Sequence, residues 1–220
     1  MVTTVRVRCY ADPVSPYAWL ALRALDALDA AGARVDIVPV LFAGLLNAHG
    51  NVGPAEIEAK RRYLFRDVMR EAARGGLPFA GPPGHPFNPL TALRMCTAVD
   101  DADARRALLV AFTCATWERG DDLMDDDTLV RLAAQAGLDG TALLAAARTP
   151  GGKAALADAT AQAAADGVFG VPTFRIDGVD GLFWGADRIE ALLWRLQGKD
   201  IDEAVLEAFL AREPLAQRKR

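Results

Sequence analysis

The fold turns on one stretch, Gly167-Val168-Phe169-Gly170-Val171-Pro172-Thr173-Phe174-Arg175-Ile176. Before it, helical patterns follow one another for more than half of the chain; within it, strand character returns. Thr173 to Ile176 is rich in strand formers, Asp177-Gly178 is a turn pair, and Leu182-Phe183-Trp184 supplies the second arm of a β-hairpin. Ile189, Leu192, Leu193 and Leu196 then share one helical face, with Asp187 placed to cap its start, and a short helix over 201–211 follows. The chain therefore closes as strand, strand, helix.

The opening supplies the complementary half. Met1 to Cys9 alternates polar and apolar residues, with Val5, Val7 and Cys9 on one face of a strand, and Ala11-Asp12-Pro13-Val14 leads to Ser15-Pro16. Ser15 has the side chain of an N-cap, and Pro16 suits the first helical position because its missing N–H would have had no partner there. Ala18, Ala21, Leu22, Leu25 and Leu28 recur at helical spacing up to Gly32, and a second strand runs from Arg34 to Leu41. A strand, crossover helix and strand in immediate succession predict two parallel neighbours. From about Leu45 to Asp166 strand signals vanish, and helices are predicted over 54–74, 89–99, 103–119, 127–136, 139–147 and 151–165, separated by Gly- and Pro-rich breakers. The order βαβ, helices, ββα is that of an α/β thioredoxin fold with a large all-helical insertion. Its thioredoxin-like domain is discontinuous, 1–44 and 166–220, and the inserted helical domain spans 45–165.

Composition bounds the partners. A formal net charge of -4 gives no basic field for nucleic acid or an anionic membrane, and the only basic cluster, Arg218-Lys219-Arg220, reads as a solvated terminus. No apolar run reaches the roughly 18 residues of a membrane span. The alternating N-terminus lacks the apolar core of a signal peptide, which points to a cytoplasmic protein. Three scattered cysteines, Cys9, Cys96 and Cys114, form neither a CxxC pair nor a metal-ligand spacing, and structural disulfides are not expected in that compartment. His49 and His85 read as solvated loop residues, Trp117 and Trp194 as core, the acidic stretch Asp121 to Asp127 as a helix-capping loop, and Lys60, Arg61 and Arg62 as a wet helix face. No metal site is expected.

Three segments can carry chemistry. Asp12 to Trp19 places the Ser15 hydroxyl at a helix N-terminus, which is either an ordinary cap or a position favourable to an anion. Val171-Pro172 precedes a strand; a trans proline is the commoner form, whereas a cis bond would turn the Val171 backbone toward an extended ligand. Phe183 to Arg188 joins the last strand to the last long helix and offers backbone N–H groups with a carboxylate. Each alone has a structural reading, but all three fall at corresponding edges of one fold and in the required order.

Five motifs carry a resemblance along nearly the whole chain: DPVSPYAWL from Asp12, GNVGP at Gly50–Pro54, HPFNPL at His85–Leu90, GVFGVPTF at Gly167–Phe174 and LFWGADR at Leu182–Arg188. Together they resemble the 2-hydroxychromene-2-carboxylate isomerases and the related kappa-class glutathione transferases, in the DsbA-like branch of the thioredoxin superfamily. The resemblance implies a homodimer that binds glutathione and acts on a small aromatic or electrophilic molecule. It implies that Ser15 hydrogen-bonds the glutathione sulfur, and that the backbone of Val171, before a cis Pro172, pairs with the cysteinyl unit. Trp184, Gly185, Ala186 and Asp187 would hold the γ-glutamyl end, and Asn51, Phe87 and Asn88 would border the second substrate. Three positions depart from the naphthalene-pathway isomerases, which carry Tyr in place of Phe87, Asn in place of Ala186 and Lys near Leu46. Less polar recognition is left for the acceptor. Thiol–disulfide exchange is disfavoured, because it needs an attacking thiolate and Ser15-Pro16-Tyr17-Ala18 holds no cysteine.

Overall fold

A computed structural model describes residues 4–216. Met1 to Thr3 of the expected first strand and the basic cluster Arg218-Lys219-Arg220 lie outside the described residues.

β1 (Val5–Ala11) turns Val7 and Cys9 into the core and pairs parallel with β2 (Ala33–Pro39) in a register that sets Val7 against Val35 and Cys9 against Ile37. The single helix expected between them is two. α1 (Pro16–Leu22) stops at Arg23, and α2 (Asp26–Ala30) follows a tight turn in which the Ala24 N–H reaches back to Ala21 O and that of Ala27 to Ala24 O. Leu22, Leu25 and Leu28 are spaced by three, and in the tighter turn residues three apart stay eclipsed. All three are buried as a result.

α3 (Phe42–Ala48) begins where strand was expected to continue to Leu41 and where no helix was predicted before position 54. It has no cap of its own. Instead the Leu41 N–H donates to Thr160 Oγ1 at 3.0 Å and the Phe42 N–H to Asp12 Oδ2 at 2.9 Å, so residues remote in sequence satisfy its first donors. A 3-10 turn over Pro54–Glu56 precedes α4 (Glu58–Arg74), then come α5 (Leu90–Thr97) and α6 (Ala102–Cys114). The predicted helix 103–119 changes winding at its end, where Ala115–Arg119 forms a π turn that closes at Gly120. α7 (Asp126–Gln135), α8 (Gly140–Arg148) and α9 (Pro150–Ala165) each start on a cap from the preceding residue, Asp125, Asp139 and Thr149. The helical stretch does not stand apart: Met95, Leu108, Leu109 and Phe112 share one apolar cluster with Val7, Cys9, Val35 and Ile37.

β3 (Thr173–Ile176) pairs antiparallel with β1, and β4 (Phe183–Trp184) with β3, giving the order β2-β1-β3-β4. This mixed four-stranded sheet with its surrounding helices is the thioredoxin fold that the order of elements predicts. A 3-10 turn over Ala186–Arg188 leads into α10 (Ile189–Leu196), and α11 (Glu203–Leu210) ends the described chain. Asp187 does not cap α10. It lies within the preceding turn and its carboxylate pairs with Arg188 Nη2 at 2.6 Å. Trp117 is fully buried, but Trp194 is exposed, because α10 buries Ile189 and Leu192 and position 194 points about 200° around the helix from 192. No described helix is long and apolar enough to cross a membrane.

Candidate functional site

The loop between β1 and α1 is held by three side chains, its own Asp12 and the remote His85 and Trp117. Asp12, wholly buried, turns back on its own loop: Oδ1 accepts from the Val14 N–H at 2.9 Å, while Oδ2 takes the Phe42 N–H. Burial pushes its carboxyl up to about 7, against the pull of those two backbone donors. The Pro13 carbonyl accepts from Trp117 Nε1 at 2.9 Å, the Val14 carbonyl from His85 Nε2 at 2.9 Å, and the Asp12 carbonyl from the Ser15 N–H at 3.0 Å. Every carbonyl of the loop is thus spoken for before the helix begins. Ser15, 8% exposed, caps α1 by accepting from the Ala18 N–H at 3.2 Å and donates its own proton to Val171 O at 3.3 Å.

That last bond joins the first and second candidate segments. The Val171–Pro172 peptide is cis. The Thr173 hydroxyl donates to Gly170 O at 2.7 Å, and the Gly185 N–H to Pro172 O at 2.9 Å, which ties the third segment to the second. Two glycines are required by close approach here. A Cβ on Gly170 would stand 2.6 Å from Trp184 Nε1, and one on Gly185, whose φ is +118°, would meet Asp187 Oδ1. Trp184 packs edge-on against Phe169 at 4.9 Å and is otherwise half-exposed.

Ser15, Val171, Pro172, Trp184, Gly185, Ala186 and Asp187 line one cavity of about 1450 Å³, and Phe87 lines it too. Asn51 and Asn88 stand outside that lining. Asn51 is exposed and its N–H donates to Leu46 O, and the exposed Asn88 accepts the Leu90 N–H at the start of α5. Leu41, Phe42, Leu46, Phe87 and Pro89 give the cavity apolar lining. Lining also comes from α1 and α4, where Tyr17 donates to Asp67 Oδ2 at 2.7 Å and Glu71 pairs with Arg74. Burial, then the Asp67 carboxylate, holds the Tyr17 phenol above its ordinary value. Lys60, expected as a wet helix face, also reaches the lining.

Sequence reasoning missed Asp12, His85 and Tyr17 as parts of the site. Asp-Pro ahead of a helix is a recognisable side-chain-to-backbone turn, so Asp12 had a local signal. His85 had none, since its partner is Val14. His49 is exposed just past the end of α3, with Nε2 3.0 Å from Val168 O, whereas His85 is not a solvated loop residue: burial holds it below its ordinary value. Among the described residues no cysteine lines the cavity; Cys9, Cys96 and Cys114 are buried with free thiols, and burial pushes Cys9 to about 12 and Cys114 to about 11. No group of three metal-ligating side chains gathers among the described residues.

Residues 6–197 match the family model described as DSBA-like thioredoxin domain. The chain belongs to that family. This DSBA-like thioredoxin domain is 25% identical over 201 residues to glutathione S-transferase kappa 1 of Rattus norvegicus, covering 86% of this chain and 89% of that one. Its fold is similar to that of 2-hydroxychromene-2-carboxylate isomerase, with a TM-score of 0.80 at 23% identity over 94% of this chain and 100% of the other. It is also similar to the cytosolic disulfide reductase DsbM from Pseudomonas aeruginosa solved with GSH, with a TM-score of 0.58 at 17% identity over 93% of this chain and 98% of that one. In this DSBA-like thioredoxin domain the first helix opens on Ser15.

Proposed function

We propose that this protein binds glutathione in the cavity at Ser15 and is a glutathione-dependent isomerase of the 2-hydroxychromene-2-carboxylate type, acting in aromatic-compound degradation. One observation carries the reading: the Ser15 hydroxyl, the Val171–Pro172 backbone and the Trp184–Asp187 turn, far apart in sequence, face a single cavity. Its volume exceeds the roughly 300–1,000 Å³ of an ordinary small-molecule site, which leaves room for a tripeptide and a second molecule.

The residues present fit a tripeptide thiol. Ser15 offers a donor for sulfur, the Val171 backbone an edge for an extended chain, and Asp187, largely exposed, a carboxylate for an ammonium group that it would share with Arg188. Glutathione supplies a thiolate that adds reversibly to an unsaturated carbon and leaves again. A free thiol titrates near 8.5, so only a few per cent is thiolate at neutral pH without help. Ser15 provides that help. Its proton, bonded to Val171 O at 3.3 Å, turns to sulfur instead, and a hydrogen bond to a charged group contributes about 1.5–3 kcal/mol. The start of α1 adds about 0.3–1 kcal/mol more for an anion. At about 1.4 kcal/mol per unit, the sum lowers the thiol by more than one unit. Asp12, His85 and Trp117 contribute by fixing the loop that aims the hydroxyl.

A second reading is transfer of the same thiol to an electrophile, as in a kappa-like glutathione transferase. The apolar wall of Leu41, Phe42, Leu46 and Phe87 and the likeness to the rat transferase favour it. Isothermal titration tests the shared premise: no heat of binding at millimolar glutathione refutes both readings. Mass spectrometry separates them. After incubation with 2-hydroxychromene-2-carboxylate, unchanged mass with altered ultraviolet absorption marks isomerisation; after incubation with a chloronitrobenzene, a glutathione adduct marks transfer. Binding without either conversion would favour a non-catalytic glutathione-binding protein.

A further inference from the structure

His85 touches the cavity and the Ser15 loop at once. Its Nε2 lies 2.9 Å from Val14 O. A carbonyl has no proton to give, so Nε2 carries the hydrogen and, in the neutral ring, Nδ1 holds a lone pair. That Nδ1 is shut off from solvent and has no hydrogen-bond partner among the described residues. The ring is fixed between Phe65, edge-on at 5.1 Å, and Trp117 at 5.6 Å. The same Trp117 binds the Pro13 carbonyl, so both residues before Ser15 are anchored through one aromatic stack.

Around His85 the charges point one way. Arg61, on α4, donates to the His85 carbonyl at 3.3 Å and opposes a second proton on the ring. On the loop side, Asp12 spends its carboxylate on the Val14 and Phe42 N–H groups. Phe65 and Trp117 carry no charge. A proton on Nδ1 would be buried without an acceptor and beside a cation.

We propose that His85 is a positioning residue for the thiol chemistry at Ser15: as the neutral Nε2–H tautomer it holds the Val14 carbonyl, and through it the Ser15 hydroxyl, in place. The proposal rests on the reading of the cavity as a glutathione site. It adds a requirement for an Nε2–H donor at position 85 that the Ser15 hydroxyl alone does not impose.

Three measurements on the full chain test this. Nitrogen-15 histidine NMR of the wild type, where only two rings contribute, should show one ring as the Nε2–H tautomer, staying neutral below the ordinary value of about 6.5. If both rings titrate normally, or the ring assigned to His85 is the Nδ1–H tautomer, the proposal falls. His85→Phe keeps a ring between Phe65 and Trp117 but removes the donor; the bound glutathione thiol should rise by about one unit, with a loss of kcat of about tenfold and a smaller change in KM. His85→Gln restores an N–H donor that does not titrate, so it should recover kcat to within about threefold and return the thiol pKa toward the wild-type value. An unchanged thiol pKa in His85→Phe, or a His85→Gln variant that recovers nothing relative to His85→Phe, overturns the role of His85 while glutathione binding stands. Absence of binding in the wild type overturns the functional reading, and this proposal with it.

Discussion

Replacing Ser15 with Ala removes one oxygen that serves two purposes, and the two effects have different magnitudes and different assays. In the ligand-free chain Oγ caps α1 through the Ala18 N–H and donates to Val171 O. Loss of a serine cap costs about 0.5–2 kcal/mol. The 3.3 Å bond to Val171 adds at most about 1 kcal/mol, the net worth of a neutral hydrogen bond. Ser15→Ala should therefore fold, with a urea midpoint lowered by an amount equivalent to about 0.5–3 kcal/mol. With glutathione bound, the lost bond is to a charged sulfur and is worth about 1.5–3 kcal/mol, a rise of about one to two units in the thiol pKa. Ultraviolet thiolate absorbance of the complex, followed against pH, reads that shift directly, and denaturation of the same preparations reads the stability. A thiol pKa equal in wild type and variant would refute the reasoning, because it would leave Ser15 as a helix cap alone.

Gly185→Ala should lose about 1–3 kcal/mol of stability and weaken glutathione binding in titration calorimetry, since its φ of +118° disfavours a side chain and the new methyl meets the Asp187 carboxylate. Wild-type binding in this variant would remove the 184–187 turn from the site. Asp12→Asn tests the buried carboxylate by linkage. The folded value of Asp12 is raised to about 7, so the stability it contributes is present below about 3.8 and is lost as pH rises through 7. Urea titrations across that range should show the wild type losing stability relative to Asp12→Asn; a constant difference would show that Asp12 does not titrate there. Trp117→Phe leaves the buried Pro13 carbonyl without its donor and should cost about 1–3 kcal/mol in urea denaturation. A cost no larger than that of an ordinary surface substitution would mean that the indole N–H does not anchor the loop.

What could be read from the residues was what they settle locally. Ser15-Pro16 opens α1, Thr173 to Ile176 is a strand, Leu182 to Trp184 includes its partner, and the acidic stretch Asp121 to Asp127 holds Asp125, the cap of α7. What escaped was settled at a distance. α3 is started by Asp12 and Thr160, from the other end of the fold, so nothing in Leu41-Phe42-Ala43 announces it. The break at Arg23 was hidden because a leucine spacing of three suits either winding. Position 187 looked like a cap, but one turn of 3-10 helix intervenes before α10. Within the site, Ser15, Val171, Pro172 and the 184–187 turn converge as their common strand-end positions imply. Asn51 and Asn88 instead spend backbone or side-chain groups on their own turns, and His85 joins the site only because folding brings it to Val14.

The three buried cysteines have a consequence for oxidative stress. Oxidants take thiols that are both ionised and reachable, and Cys9 and Cys96 are neither, while Cys114 is nearly covered and held as a thiol. Peroxide exposure should therefore leave the chain's own thiols unmodified. Any sulfur that reacts in the cavity has to arrive by diffusion, and once damaged it departs the same way. Output would then follow the size of the free thiol pool rather than the history of the protein, with no repair enzyme required to bring the catalyst back.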